Sequence, residues 1–408
     1  MRILIVSQYF WPESFRINDL ALGLRDKGHR VTVLTGKPNY PEGHFFHSYG
    51  FFKRSREYYG GVEVIRVPLL PRGRGGGLRL ALNYLSFALF ASAIAPFQCR
   101  GHFDVIFVFE PSPITVGLPA LLFKKIKNAP VMFWVQDLWP ESLSATGAVR
   151  STWLLKLIEV LVNFIYQRCD RILIQSKAFS QSLKKHGADP HRILYFPNSA
   201  EDLYKPVALS EDAPERACMP AGFRIMFAGN IGSSQDFLTI LDAAEKLKGF
   251  PDIHWIIIGD GRMRPWVEAQ IEKRGLNETF HLIGRHPVEL MPRYFSLADV
   301  MLVTLKKEYI FSLTIPAKVQ SYLACAKPIV AALDGEGARI VEEAGAGITC
   351  PAESPVALSE AVLAMYHMPD SARKVMGLKG RSYFEEHFER TMLLDRLDSW
   401  IKELGKGK

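Results

Sequence analysis

The feature that most restricts this chain is a strand–helix alternation that runs through it twice. Ile3–Val6, Val31–Leu34, Asp104–Phe109, Val131–Val135 and Arg171–Gln175 are short apolar runs. Between them lie segments whose apolar residues recur at helical spacing: Asp19–Lys27, a stretch after Pro113, and about Trp153 to Arg168. Strands that are continuous apolar runs are buried on both faces, and strands joined by helices lie parallel. The rhythm stops over Lys205–Gly222, which is rich in Pro, Ala and charge and has no apolar period. It restarts with Phe223–Ala228, the helix-period segment Phe237–Leu247, then Ile253–Ile258, Val300–Leu305, Lys318–Ala324 and Ile329–Ala332. The expected fold is α/β: two Rossmann-like, doubly wound parallel-sheet domains facing a central cleft. The expected division is 1–204, a linker at 205–222, a second domain at 223–378, and an amphipathic helical segment at 379–408 that crosses back to the first. A chain of 408 residues has room for two full cores.

Charge is divided unevenly between the halves. Residues 1–200 hold 25 basic and 13 acidic side chains, a balance of +12; residues 201–408 hold 25 and 29, a balance of −4. A basic half suits a polyanionic partner: nucleic acid, anionic lipid or a pyrophosphate-bearing substrate. A solvated basic surface is the plainer alternative. Nucleic acid is disfavoured, because the basic residues alternate with apolar helical patterns and form no arm or known module. Cys99, Cys169, Cys218, Cys325 and Cys350 are odd in number, widely spaced and without a C-x-x-C pair, which argues against disulfides or zinc and for a reducing cytoplasm. The opening MRILIVSQYF lacks a small-residue cleavage site and reads as a first strand, not a signal peptide.

Leu78–Phe97 is twenty mostly apolar residues, interrupted by Arg79 and Asn83 and ended by Pro96. Arg72, Arg74, Gly75, Gly76 and Gly77 precede most of it. Three readings stay open: a buried helix of the first domain, an amphipathic helix in the membrane interface, and a transmembrane span.

In open parallel sheets, ligands sit beyond the carboxyl ends of the strands, so the turns after the strands hold the candidates. The first strand ends in Ser7-Gln8-Tyr9-Phe10-Trp11-Pro12-Glu13-Ser14, with no glycine to let backbone approach a pyrophosphate. Trp11 and Arg16 suit a bulky acceptor instead, unless the aromatic loop packs on its own domain. The matching turn of the second domain, Gly229-Asn230-Ile231-Gly232-Ser233-Ser234-Gln235, is small, polar and opens a helix. It can offer backbone N–H groups and a helix dipole to a diphosphate, although it has neither dinucleotide nor P-loop spacing. Gly259-Asp260-Gly261 and Gly284-Arg285 follow neighbouring strands at the same end. Lys318 falls in the first turn of a helix begun by Pro316, where a cation opposes the dipole and an anion would relieve it. Gln320 and Ser321 lie in the same helix.

At these residues the chain resembles the family-4 retaining glycosyltransferases of GT-B fold. The resemblance spans nearly the full length: D-L-A-L-G-L-R-D-K-G-H-R-V-T-V-L-T at 19–35, Val135-Gln136-Asp137, Ile174-Gln175-Ser176, Phe196-Pro197-Asn198, Gly229-Asn230, I-I-G-D-G at 257–261 and A-C-A-K-P-I-V at 324–330. The runs W-V-Q-D-L-W-P-E-S at 134–142 and P-A-K-V-Q-S-Y-L-A at 316–324 resemble a narrower, WbuB-like and colanic-acid-type subgroup. That subgroup builds bacterial surface polysaccharides on a polyprenyl-diphosphate carrier. Departures are specific: Gln136 stands where the family usually has His, Asn230 and Gln235 where it commonly has Arg and Lys, and Leu313 and Ser321 near its spaced glutamates.

The resemblance implies a UDP-sugar donor, retention of configuration, a polyprenyl-diphosphate-linked acceptor and attachment to the inner face of the cell membrane. Asp137, with Gln136, is the first catalytic candidate; its alternative role is capping the turn before Trp139-Pro140. Glu13, Glu110 and Glu141 are further candidates for base or acceptor contact, with Trp139 beside them. No D-x-D motif or metal cluster accompanies the donor turns, so neither metal nor cofactor is expected. A sugar-nucleotide epimerase of the same fold and a non-catalytic partner in polysaccharide assembly are the competing readings.

Overall fold

The strand β1 (Arg2–Val6) is R-I-L-I-V, and its last four side chains have no exposed surface. Such a strand needs cover on both faces, and the chain supplies it with helices after nearly every strand. The computed structural model describes residues 1–73, 76–145, 147–149 and 151–407. The basic residue Arg74 and the adjacent Gly75, noted above, lie outside them. The described residues form two compact units, Met1–Pro197 with Leu394–Lys408, and Asn198–Leu393.

In the first unit, β1 is followed by α1 (Arg16–Asp26), β2 (Arg30–Gly36), β3 (Arg56–Tyr59) and β4 (Val62–Val67). Then come α2 (Gly77–Ala93), α3 (Ala95–Gln98), β5 (Val105–Glu110), α4 (Gly117–Lys127) and β6 (Val131–Val135). The unit continues with α5 (Glu141–Ala145), α6 (Thr152–Tyr166), β7 (Arg171–Ile174), α7 (Phe179–Lys185) and β8 (Ile193–Tyr195). The sheet order is β3-β4-β2-β1-β5-β6-β7-β8, parallel except for β3 against β4. The links β4 to β5, β5 to β6 and β6 to β7 all advance in one direction. Right-handed crossovers therefore put α2, α4 and α6 on one face and α1 on the other.

The second unit runs β9 (Phe223–Ala228), α8 (Phe237–Lys246), β10 (Ile253–Ile258), α9 (Arg264–Lys273) and β11 (Phe280–Gly284). It goes on through α10 (Met291–Ser296), β12 (Val300–Thr304), α11 (Tyr309–Ser312), α12 (Ala317–Ala324), β13 (Ile329–Ala332), α13 (Glu336–Glu343) and β14 (Gly347–Cys350). The helices α14 (Pro355–His367), α15 (Asp370–His387) and α16 (Arg390–Lys406) end the chain. Its order, β11-β10-β9-β12-β13-β14, reverses direction between β9 and β12. Alternate residues feed two cores: Met226, Ile256 and Met301 on one face, Phe227, Trp255 and Leu302 on the other. Each such fully buried side chain contributes roughly 1.5–3 kcal/mol.

Three sequence expectations need correction. The first unit ends at Pro197 rather than 204, because Ala200 is buried in the second unit's core and Tyr204 stacks on Phe295 with centroids 5.9 Å apart. The stretch 205–222 is not a free linker: Glu215 is 5% exposed and grips Arg293 of α10 through both carboxylate oxygens. The returning segment is also shorter than 379–408. Phe384 and Phe388 remain in the second unit's core, and only Leu394 onward joins the first. There Leu394 lies where a side chain at Gly23 would stand, and the Asp398 carboxylate accepts from His29 Nε2 at 2.7 Å.

The span reading of 78–97 fails. α2 has 17 residues, about 26 Å of helix, and no helix among the described residues is long and apolar enough to cross a membrane. Its inner face is fastened to the domain by buried Asn83, which donates to Leu70 O at 2.6 Å and accepts from Gln8 Nε2 at 2.7 Å. Its outer face carries Leu78, Leu82, Leu85 and Leu89, all exposed.

Candidate active site

The reversal between β9 and β12 opens a crevice at the carboxyl end of the second sheet, where such sheets bind ligands. Gly229 begins the turn there, with φ 142°. A side chain at Gly229 would meet the Lys318 stem at 2.8 Å, so glycine is what lets the lysine pass. Gly259, φ 141°, is needed for a second reason: its Cβ would stand 1.9 Å from Gly229 O. The successive turns are laced by backbone bonds, Gly229 N to Ile258 O (2.8 Å), Ile231 N to Asp260 O (2.9 Å) and Gly259 N to Gly284 O (2.8 Å). They enclose a cavity of about 620 Å³ lined by Gly229, Asn230, Gly259, Asp260, Gly261 and Arg285. Six donor candidates thus come together. His286 and Met291 also line it, and sequence reading missed both because neither residue type signals a phosphate site.

Lys318 projects beside this turn. Its ammonium donates to Gln235 Oε1 and lies 3.5 Å from the centroid of the Phe227 ring. No carboxylate among the described residues pairs with it. Burial alone drives its pKa well below that of an ordinary lysine. A desolvated cation held only by an amide oxygen and a ring face is incompletely compensated. Gly232 lies at the end of the short turn, where a Cβ would strike the Asn230 amide at 2.5 Å.

Two donor candidates are otherwise engaged. Gln320 is 1% exposed and donates to Asn198 O, so it holds the unit's first residue in place. Ser321 Oγ bonds back to Ala317 O at 3.2 Å within its own helix. Asp260 accepts from the N–H of Gly261 at 2.7 Å and stabilises its own turn.

In the first unit most acidic candidates turn inward. Glu13 is 2% exposed; its Oε1 accepts from the N–H groups of Asn39 and Tyr40, both at 2.8 Å. Burial raises its pKa to about 7 despite these bonds. It pins the 9–13 loop to the 39–40 turn and is not open to an acceptor. Trp11 stacks on Tyr59, with centroids 5.1 Å apart, and Tyr9, Phe15 and Tyr40 pack together beside it. The aromatic loop therefore packs on its own domain, and Arg16 opens α1.

Glu110 ends β5 with no exposed surface. Burial, then the neighbouring Asp137 charge, push its pKa well up, and the N–H groups of Asp137 and Gln136 offset only part of this. With no exposed surface, it is not open to an acceptor. Glu141 also faces in: burial pulls its pKa up, but Ser182 Oγ (2.6 Å) and His186 Nε2 (3.1 Å) bond to it and hold it down. His186, 1% exposed, was missed by sequence reading because its partners lie 23 and 45 residues away.

Asp137 is the half-buried carboxylate of this group, just past the end of β6. Burial raises its pKa, while side-chain bonds from Ser142 and Trp139 and the N–H of Leu138 restrain the rise. Through these bonds Asp137 caps the turn before Trp139-Pro140. Trp139 is fixed against Tyr84 and donates Nε1 to Ser112 Oγ at 3.2 Å. Gln136 takes the Gln175 amide on its carbonyl at 2.6 Å, and its own Nε2 has no partner among the described residues.

The outer surface of this unit is unusual. Of 21 large apolar residues exposed among those described, eleven lie on α2, α3, α4 and α6. On α6, Trp153, Leu157, Val160 and Phe164 repeat the 4-3-4 spacing of the α2 leucines and face outward. Patches of this kind mark binding surfaces.

Comparison with known proteins agrees with the architecture. Residues 14–199 match the Glycosyl transferase 4-like domain, and residues 222–368 match the Glycosyl transferases group 1 domain. WbjE of Pseudomonas aeruginosa, named as a glycosyltransferase, is 30% identical over 304 residues, 70% of this chain and 73% of its own. WcaI of Escherichia coli K12, named for colanic acid biosynthesis, is 23% identical over 79% of this chain and 81% of its own. The Anabaena protein HepE, solved in complex with UDP, superposes with a TM-score of 0.69 at 14% identity, covering 99% of this chain and all of HepE. With two Rossmann-like sheets, a glycine-laced turn at the second sheet's reversal point and both family domains in order, the chain belongs to the family-4 glycosyltransferases of GT-B fold.

Proposed function

We propose that this glycosyltransferase moves a sugar, with retention, from a UDP-sugar to a polyprenyl-diphosphate-linked saccharide in synthesis of O-antigen, capsule or exopolysaccharide. The observation that carries the donor half is Lys318, which has no carboxylate partner among the described residues and passes against the glycine of the Gly229–Gly232 turn. HepE, of the same fold, is solved with UDP, and WcaI is named for colanic acid biosynthesis. An N-acetylated amino or deoxy sugar, such as N-acetyl-fucosamine, is the transferred group in this proposal.

The bond from the sugar's anomeric carbon to the diphosphate oxygen breaks first. The departing charge is met by Lys318 and by the Asn230 and Gly232 N–H groups of the Gly229–Gly232 turn, those of Gly229 and Ile231 being given to Ile258 O and Asp260 O. The acceptor hydroxyl then bonds to the same face of the sugar and gives its proton to a phosphate oxygen. Asp137, on the first unit, is the proposed catalytic residue and orients the acceptor. No metal and no cofactor take part in the proposed reaction.

The exposed stripes of α2 and α6 suit the interface of an anionic bilayer, so the protein is proposed to work as a peripheral protein on the cytoplasmic face of the cell membrane. The test is incubation with radiolabelled UDP-sugar and a polyprenyl-diphosphate-linked sugar. Label in the lipid phase is expected. Isomerised free sugar nucleotide, or UDP binding without turnover, would overturn the proposal in favour of an epimerase or a silent binding partner.

A further inference from the structure

A groove of about 1220 Å³ lies in the first unit between α4, the end of α6 and the end of α16. Five cations line it: Lys124, Lys125, Arg168, Arg171 and Arg192. Two carboxylates, Asp170 and Glu403, line it as well, leaving a formal charge of +3. Lys124 is tied to Asp170 at 2.6 Å, Arg171 reaches Glu403 at 3.4 Å and Arg192 reaches Asp189 at 3.3 Å, so Lys125 and Arg168 are the cations without a carboxylate among the described residues. Lys125 is exposed, and no hydrogen bond or ion pair engages it among the described residues. Arg168 sits 3.9 Å over the Phe164 ring, and among the described residues its guanidinium bonds only to the Phe164 carbonyl.

The groove is also apolar in part. Leu118, Leu121 and Leu122 of α4 form one wall, and Phe164 forms another. Phe164 is the last member of the exposed stripe on α6, so the stripe runs directly into the cationic groove. Apolar surface leading to clustered cations matches a lipid whose chains follow the stripe and whose phosphate enters the groove. A nucleotide would want an open aromatic face, and the Phe164 face is already covered by Arg168.

The groove is not the acceptor site. Its Ala129 and Pro130 precede β6, and Asp170 precedes β7, whereas Asp137 lies beyond the far end of β6. Seven residues of extended chain place the two about 20 Å apart.

We infer that this groove binds the phosphate head group of an anionic phospholipid and fixes how the first unit sits on the bilayer. The inference rests on the peripheral-membrane reading given above. It is tested by flotation with phosphatidylcholine vesicles, with and without phosphatidylglycerol. The full chain is compared with Lys125→Gln/Arg168→Gln and, as a control, with Lys184→Gln/Lys185→Gln on α7. The groove variant is expected to lose about thirtyfold in affinity for phosphatidylglycerol vesicles, about fivefold per cation. It should keep the wild-type response to neutral vesicles and the wild-type melting temperature.

Equal losses in the control pair would mean that net charge alone attracts the vesicles, and would overturn the groove. So would unchanged binding of the groove variant, while leaving membrane association intact. If the wild-type chain floats with neither vesicle, the membrane reading itself falls. Calorimetry with short-chain phosphatidylglycerol and with inorganic phosphate separates the sources. Binding of the lipid alone supports the proposal; equal binding of phosphate overturns it.

Discussion

The Lys318 ammonium lies 3.5 Å from the centre of the Phe227 ring and bonds to the side-chain oxygen of Gln235, with no carboxylate to complete its surroundings. Burial disfavours the charged form of this amine, and a bound anion would favour it. Lys318→Met should lower UDP affinity about tenfold to a hundredfold, the worth of a charged hydrogen bond, without lowering the melting temperature. Calorimetric titration with UDP, paired with thermal unfolding, measures both. Unchanged affinity would remove Lys318 from the site.

The same residue fixes a pH dependence. Its folded pKa is depressed, so above that value the unfolded chain binds more protons than the folded one. Stability should therefore rise with pH between the depressed pKa and the ordinary lysine value. UDP affinity should move the other way, because the nucleotide binds the protonated form. Both slopes should vanish in Lys318→Met, as denaturant titrations at stepped pH will report.

Glu13 titrates in the opposite sense. Its pKa is raised from 4.5 to about 7, so the folded state holds the extra proton in that window. Its contribution is complete below about 4.5 and is lost as pH rises through about 7. Glu13→Gln should flatten this part of the stability profile and keep the fold, since one amide oxygen can still accept from Asn39 and Tyr40. Glu13→Ala leaves those buried N–H groups unpaired and should cost about 3 kcal/mol in urea unfolding.

Asp137 and Glu110 are adjacent carboxyl groups with different expected roles. Asp137→Asn should leave UDP affinity intact and reduce turnover about a hundredfold or more, measured as kcat beside the UDP Kd. Glu110 is fully buried, and Glu110→Gln keeps its shape and should change turnover less than threefold. A loss in Glu110→Gln as large as in Asp137→Asn would make the buried acid part of the chemistry.

These contrasts show where sequence reading stops. The double Rossmann rhythm and the Gly229–Gly232 turn are local patterns, and the fold preserves them. The β3–β4 hairpin is also a local pattern, since Gly60 and Gly61, with φ 51° and 83°, form the two-residue turn such hairpins favour. The roles of Glu13, Glu110 and Glu141 were not legible. A carboxylate looks the same in sequence whether it meets solvent or, as Glu13 does, two distant backbone amides. The apolar residues of α6 were visible as a helix, but which of them face outward depends on α4 and β6 beneath.

The lacing of the donor turns gives the sharpest structural test. Gly259 has φ 141°, and a Cβ there would stand 1.9 Å from the Gly229 carbonyl oxygen, a backbone atom that cannot swing aside. Gly259→Ala must therefore either strain its own backbone or push the Gly229 turn away from Lys318. The expected cost is about 3 kcal/mol or more, together with loss of UDP binding. Gly249 in the same unit has open space around its Cβ position and no left-handed φ, so Gly249→Ala is the matched control and should change neither quantity. If Gly259→Ala melted like the control and bound UDP as the wild type does, the two turns would not be holding one another, and the nucleotide site built on them would have to be abandoned.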